Sequence, residues 1–115
     1  MVIERSAMVV ERRERMREGK GTCELTLLGG RELQKHCRVL SEIVIPAGAS
    51  IGPHQHSGET EYYIILEGNG LVDDNGTPTP VKPGDCVVTG GGAVHSIEAT
   101  GGLPLRMIAM IVTDA

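Results

Sequence analysis

Between residues 37 and 45 the chain reads Cys-Arg-Val-Leu-Ser-Glu-Ile-Val-Ile, and its odd-numbered members, Cys37, Val39, Ser41, Ile43 and Ile45, make the more apolar face. A period of two over this length predicts a half-buried strand with that face turned inward. Pro46-Ala47-Gly48 ends it, because proline removes a ladder donor and glycine permits a tight bend. Similar short apolar runs broken by glycine and proline fill the rest of the chain. They predict strands at 23–28, 61–67, 71–73, 86–89, 93–99 and 105–112, with another through Gly-Pro-His-Gln-His at 52–56. Asp74-Asn75-Gly76 predicts a type I′ hairpin turn, since Asn-Gly suits two successive positions of positive φ. Further turns are expected at Val81-Lys82-Pro83-Gly84-Asp85, Gly90-Gly91-Gly92 and Gly101-Gly102. Roughly eight short strands at regular spacing describe an all-β sandwich or small barrel.

The start of the chain lacks this texture. Residues 2–20 alternate poorly, and Gly19-Lys20-Gly21 limits any helix to a turn or two. The expectation is an N-terminal arm over 1–21, packing across a dimer partner, followed by a barrel domain over 22–115.

Composition sharpens the fold class and removes some partners. The 115 residues suit one domain, and with no Phe, no Trp and two Tyr the interior falls to Val, Ile, Leu and Met. Residues 1–20 carry six basic and four acidic groups, leaving five basic and eleven acidic for the body of the domain. An acidic body without an aromatic platform or a basic stripe argues against nucleic acid, whose binding depends on phosphate neutralisation and base stacking. No apolar run approaches the ~18 residues of a membrane span. Three cysteines, Cys23, Cys37 and Cys86, form an odd set without C-x-x-C spacing or a signal-peptide core, which points to a reduced, cytoplasmic setting.

Two of the four histidines, His54 and His56, stand one residue apart. On a strand that spacing sends both imidazoles to one side, with Gln55 opposite. A tight turn after His56 brings the Glu61 carboxylate onto a neighbouring strand, and the glycine-rich bend at 90–92 places His95. Three imidazoles and a carboxylate suit one divalent transition metal ion: Mn, Fe, Ni, Co or Zn. Six-coordination would leave two positions open for a bound small molecule. His36, beside Lys35, reads as an ordinary surface residue.

The spacing G-x5-H-x-H-x4-E-x6-G is met by Gly48, His54, His56, Glu61 and Gly68, and G-x5-P-x-G-x2-H-x3-N by Gly84, Gly92 and His95. Gly90 and Ala99 stand where proline and asparagine are usual in the second pattern. These residues resemble the two motifs of the cupin superfamily, with the short spacer of small single-domain members of the oxalate-decarboxylase-like group. The resemblance implies an all-β double-stranded β-helix, or jelly-roll, barrel, often a homodimer, with a metal held by His54, His56, Glu61 and His95. Glu59 competes for the carboxylate role but falls short of the x4 spacing and reads as loop.

Beyond the ligands, Tyr63 and Ile65 share the face of Glu61, so Tyr63 is a candidate catalytic residue that donates to a bound substrate. Tyr62, Ile64 and Leu66 face the other way and call for a second layer or a dimer interface. Arg106, on the last strand among apolar neighbours, is a candidate catalytic anion contact, ahead of Arg38 and Lys82. Met16, Met107 and Met110 are candidates to line the cavity or fill the core. Cys37 and Cys86 read as small buried groups near the site. The resemblance implies an enzyme acting on a small oxygen-rich or carboxylate metabolite at the metal, decarboxylase-like or dioxygenase-like. The alternative is a non-catalytic metal-dependent module that binds or senses a small ligand.

Overall fold

A computed structural model describes residues 1–30 and 33–115. The described residues form ten strands: β1 (Val10–Glu14), β2 (Thr22–Leu27), β3 (Cys37–Ile45), β4 (Ser50–Gln55), β5 (Glu59–Glu67), β6 (Asn69–Asp74), β7 (Thr77–Val81), β8 (Cys86–Gly90), β9 (Val94–Thr100) and β10 (Leu105–Thr113). They make two antiparallel sheets, one in the order β1-β2-β3-β10-β5-β8 and the other β4-β9-β6-β7. This is the expected jelly roll. Among the described residues no helix is long and apolar enough to cross a membrane.

Alternation along the strands builds the core between the sheets. Ser41, Ile43 and Ile45 of β3 are buried, as are Tyr63 and Ile65 of β5 and Leu105, Met107, Ala109 and Ile111 of β10. Ile51, Val72, Ile97 and Ala99 face them from the smaller sheet. Each large apolar side chain so buried contributes on the order of 1.5–3 kcal/mol, so branched aliphatics supply the apolar burial in a chain without Phe or Trp. Met107 belongs to this core, whereas Met110 lies on the alternate face.

Three expectations change. The segment read as an arm holds β1, which adds an edge strand against β2 through pairs from Val10↔Thr26 to Glu14↔Thr22. Its charge-rich Val-Glu-Arg-Arg-Glu hides the alternation because an edge strand tolerates charge on both faces. Arg5, further upstream, reaches Glu42 Oε1 at 3.0 Å and Thr26 Oγ1 at 3.3 Å on the same chain's sheet. The return strand of the Asn75-Gly76 hairpin, β7, carries Pro78 and Pro80 at the outer edge, where missing donors leave no gap. Finally, Cys86 is exposed and Cys37 half-buried, so the deeply buried cysteine is Cys23. The hairpin turn is as expected, with φ of 48° at Asn75 and 97° at Gly76.

Candidate metal centre

Both sheets supply the site. β4 carries His54 and leads directly into His56, β9 carries His95 directly across from His54, and β5 of the larger sheet carries Glu61. A bulge at Gly52–Pro53 interrupts the β4–β9 register just before His54. His56 is held beyond the strand end by its own N–H to Ala93 O and by Gly92 N–H donating to its carbonyl. The i,i+2 expectation stands: Gln55 is exposed while His56 is buried.

The four side chains converge. The Nε2 atoms of His56 and His95 are 3.0 Å apart, and those of His54 and His95 2.9 Å. Glu61 Oε1 lies 2.9 Å from Nε2 of both His56 and His95, and 3.5 Å from that of His54. One ligand atom from each of the four residues fits within 4.8 Å of all the others.

Each imidazole is oriented from behind through Nδ1. His54 Nδ1 donates to the Gly52 carbonyl at 2.8 Å, and His56 Nδ1 to the Glu59 carboxylate at 2.6 Å. His95 Nδ1 meets the Thr89 hydroxyl at 2.8 Å. A carbonyl or carboxylate only accepts, so a neutral His54 or His56 keeps its proton on Nδ1 and presents the Nε2 lone pair to the centre. Burial works against the Glu61 anion, but imidazoles that carry a proton on Nε2 outweigh it through hydrogen bonds and charge, lowering its pKa to about 2. His95 is held below its ordinary value, first by burial. Lone pairs and an anion packed so closely repel one another unless a cation sits among them. The close pairs also match the edge of an octahedron with 2.1 Å bonds, about 3.0 Å. The donor set therefore fits one divalent transition ion.

Tyr63 lies against the centre as expected, its ring stacked on His95 with centroids 4.9 Å apart and an interplanar angle of 11°. Burial, and then the Glu61 carboxylate, push its phenol well above the usual value of 10, so it remains a neutral donor. Arg106 is elsewhere. It alternates with the inward residues of β10, pairs with Glu67 at 3.0 Å and Glu42 at 3.5 Å, and does not line the cavity over the metal ligands. The catalytic expectation for Arg106 is thereby corrected: apolar neighbours on both faces of β10 concealed which face it takes. Lys82 pairs with Asp85 in its own turn.

The sequence reading passed over Glu59, which is not loop but the first residue of β5. Besides His56 it accepts two hydrogen bonds from Arg38, from Nε at 3.0 Å and Nη2 at 2.9 Å. Arg38 foremost, with His56 assisting, holds its carboxyl below the usual range. Thr89 and Gly52 were likewise unmarked, because orientation from behind leaves no spacing signature in the chain. The Gly90 departure has a local cause: a Cβ there would lie 2.5 Å from the Thr60 hydroxyl, so Thr60 takes the room a larger residue needs.

A cavity of about 260 Å³ opens onto His54, His56, Glu61 and Tyr63. That is below the range of drug-sized ligand pockets and suits a small metabolite. Its lining includes Leu25, Ile43 and Ile111 together with half-buried Met16 and the exposed Arg17 and Arg38.

Known proteins agree with this architecture. An oxalate-binding protein of Thermotoga maritima is 41% identical over 113 residues, spanning 97% of this chain and 93% of that protein. The crystal structure of a predicted oxalate decarboxylase from Thermotoga maritima superposes with a TM-score of 0.89 at 40% identity, covering 98% of this chain and 99% of that one. A dimethylsulfoniopropionate lyase of Ruegeria pomeroyi, DddW, is 32% identical over 74 residues, 64% of this chain and 48% of its own length. Residues 41–111, which hold all four converging side chains, match the cupin domain, and the chain belongs to the cupin family.

Proposed function

We propose that this cupin holds one divalent transition metal at His54, His56, Glu61 and His95 and binds a small carboxylate there, oxalate being the case its Thermotoga relative suggests. One observation carries the reading: three Nδ1-anchored imidazoles and an ionised carboxylate converge beside a small cavity that His54, His56 and Glu61 line. The metal would supply Lewis acidity toward carboxylate oxygens. Tyr63 contributes a neutral O–H beside that position, and the aliphatic walls exclude bulk water. A second reading is turnover, decarboxylase-like ahead of dioxygenase-like. It is weaker because a phenol so reluctant to ionise is a poor proton donor, and Glu59 is engaged by Arg38 and His56.

We further infer a homodimer built on the outer face of the six-stranded sheet, and a cytoplasmic setting in keeping with three free cysteines. The test of the main reading is metal analysis of purified wild type beside His56→Ala, followed by calorimetric titration of oxalate into the metal-loaded protein. The expected result is near-stoichiometric metal lost in the variant, with oxalate binding only when metal is present. A wild type that refuses every divalent ion, or binds oxalate equally without metal, would overturn it. Formate and CO2 released from oxalate would favour turnover.

A further inference from the structure

Three exposed arginines, Arg13, Arg17 and Arg38, line the cavity, and two are already neutralised. Arg13 pairs with Glu11 at 3.0 Å, and both line the cavity. Arg38 is clamped on Glu59. Arg17 also lines the cavity, and among the described residues its guanidinium has no hydrogen-bond or ion-pair partner. Its charge reaches the Tyr63 phenol at the cavity floor, where it works against the burial that raises that group.

The backbone beneath Arg17 is unusual. Arg15, Arg17 and Glu18 have φ of 49°, 54° and 63°, left-handed values that side-chain-bearing residues rarely adopt. Such conformations persist only where the surroundings enforce them, and they gather at ligand clamps. Here the enforcement is visible. Arg15 N–H donates to Gly21 O at 2.8 Å, Glu18 N–H to Arg15 O at 2.8 Å and Gly19 N–H to Met16 O at 2.9 Å. Ser50 ties the turn down twice, its N–H to Lys20 O and its hydroxyl accepting from Lys20 N–H, each at 2.9 Å. Gly19 and Gly52 meet with no room for a Cβ on either, and Met16 packs on the core.

We propose that Arg17 is the anion-recognition residue of this cavity, and that it selects small dicarboxylates by receiving the carboxylate oxygens that face outward when the inner oxygens lie at the metal site. This rests on the carboxylate-binding reading above and deepens it. The guanidinium fork matches a carboxylate in two parallel hydrogen bonds, which a monocarboxylate spent on the metal does not offer. The strained turn fixes the backbone from which the Arg17 side chain reaches the cavity.

The test is calorimetric titration of oxalate, malonate and formate into metal-loaded wild type, Arg17→Gln, Arg17→Lys and Arg12→Gln. Arg12 pairs with Glu24 away from the cavity and serves as the control. Metal content is measured on every sample. Arg17→Gln is expected to weaken oxalate by about 10- to 100-fold, the range for a hydrogen bond to a charged group, with metal content and formate affinity unchanged. Arg17→Lys should recover part of the loss, Arg12→Gln should match wild type, and the salt dependence of oxalate binding should flatten in Arg17→Gln. Oxalate affinity within twofold of wild type in Arg17→Gln, or equal losses for formate and oxalate, overturns the role of Arg17 alone. A metal-loaded wild type that takes neither oxalate nor malonate overturns the carboxylate reading together with it.

Discussion

Glu59 stands between a surface arginine and a buried imidazole, and its charge is what makes both contacts strong. A carboxylate accepting from His56 Nδ1 raises the basicity of the opposite nitrogen, which faces the metal position. Glu59→Gln keeps the shape and removes the charge. Metal affinity measured by chelator competition is expected to fall about 10- to 100-fold, while thermal melting of the metal-free protein changes little. Against this background the residues that were readable from the chain share one property. His54, His56, Glu61 and His95 are fixed by strand periodicity and spacing, both of which are written along the sequence. Glu59, Thr89 and Gly52 act sideways or from behind, through a turn, a neighbouring strand or a carbonyl. Arg106 was misplaced for a related reason: Leu-Arg-Met-Ile-Ala-Met-Ile-Val is apolar on both faces, so alternation could not say which one turns inward.

At the scale of elements, the turn that delivers β8 shows how exposed charge can hold a junction. Asp85 accepts from Lys82 N–H at 2.9 Å and lies 3.4 Å from its ammonium, and the backbone donor first, then the charge, lowers its pKa. A carboxyl whose folded pKa is depressed contributes stability above its unfolded value, about 3.9, and loses it as pH falls through the lower folded value. Asp85→Asn should therefore melt below wild type at neutral pH. The gap should narrow as pH falls below the unfolded value of about 3.9 and close below the lower folded value, where the aspartate is protonated in both states. A gap independent of pH would assign the effect to packing instead. Turn chemistry of this kind was legible, as was β3 with its inward odd face. β1 and β7 were not, because edge strands accept the charges and prolines that argue against a strand elsewhere.

For the molecule as a whole, the six-stranded sheet is a wall with two characters. Its inner face holds much of the core and, of the four converging side chains, Glu61. Its outer face carries Tyr62, Ile64 and Leu66 on β5, Val88 on β8, and Ile108 and Met110 on β10, with Ile64 41% and Val88 57% exposed. Cross-strand pairs Ile108↔Ile64, Met110↔Tyr62 and Tyr62↔Val88 make these side chains contiguous. A contiguous exposed apolar patch of that kind is the usual mark of an interaction surface. Sedimentation velocity is expected to show a wild-type dimer and an Ile64→Lys monomer that keeps its metal; a monomeric wild type at micromolar concentration would remove the dimer proposal. The same wall has an optical consequence. The chain has no tryptophan, and its two tyrosines are adjacent, one directed outward and the other stacked on the His95 imidazole. Ultraviolet fluorescence thus comes from two probes set back to back, Tyr62 reporting what docks on the protein and Tyr63 what enters it, and replacing either with phenylalanine leaves the other as an unlabelled sensor.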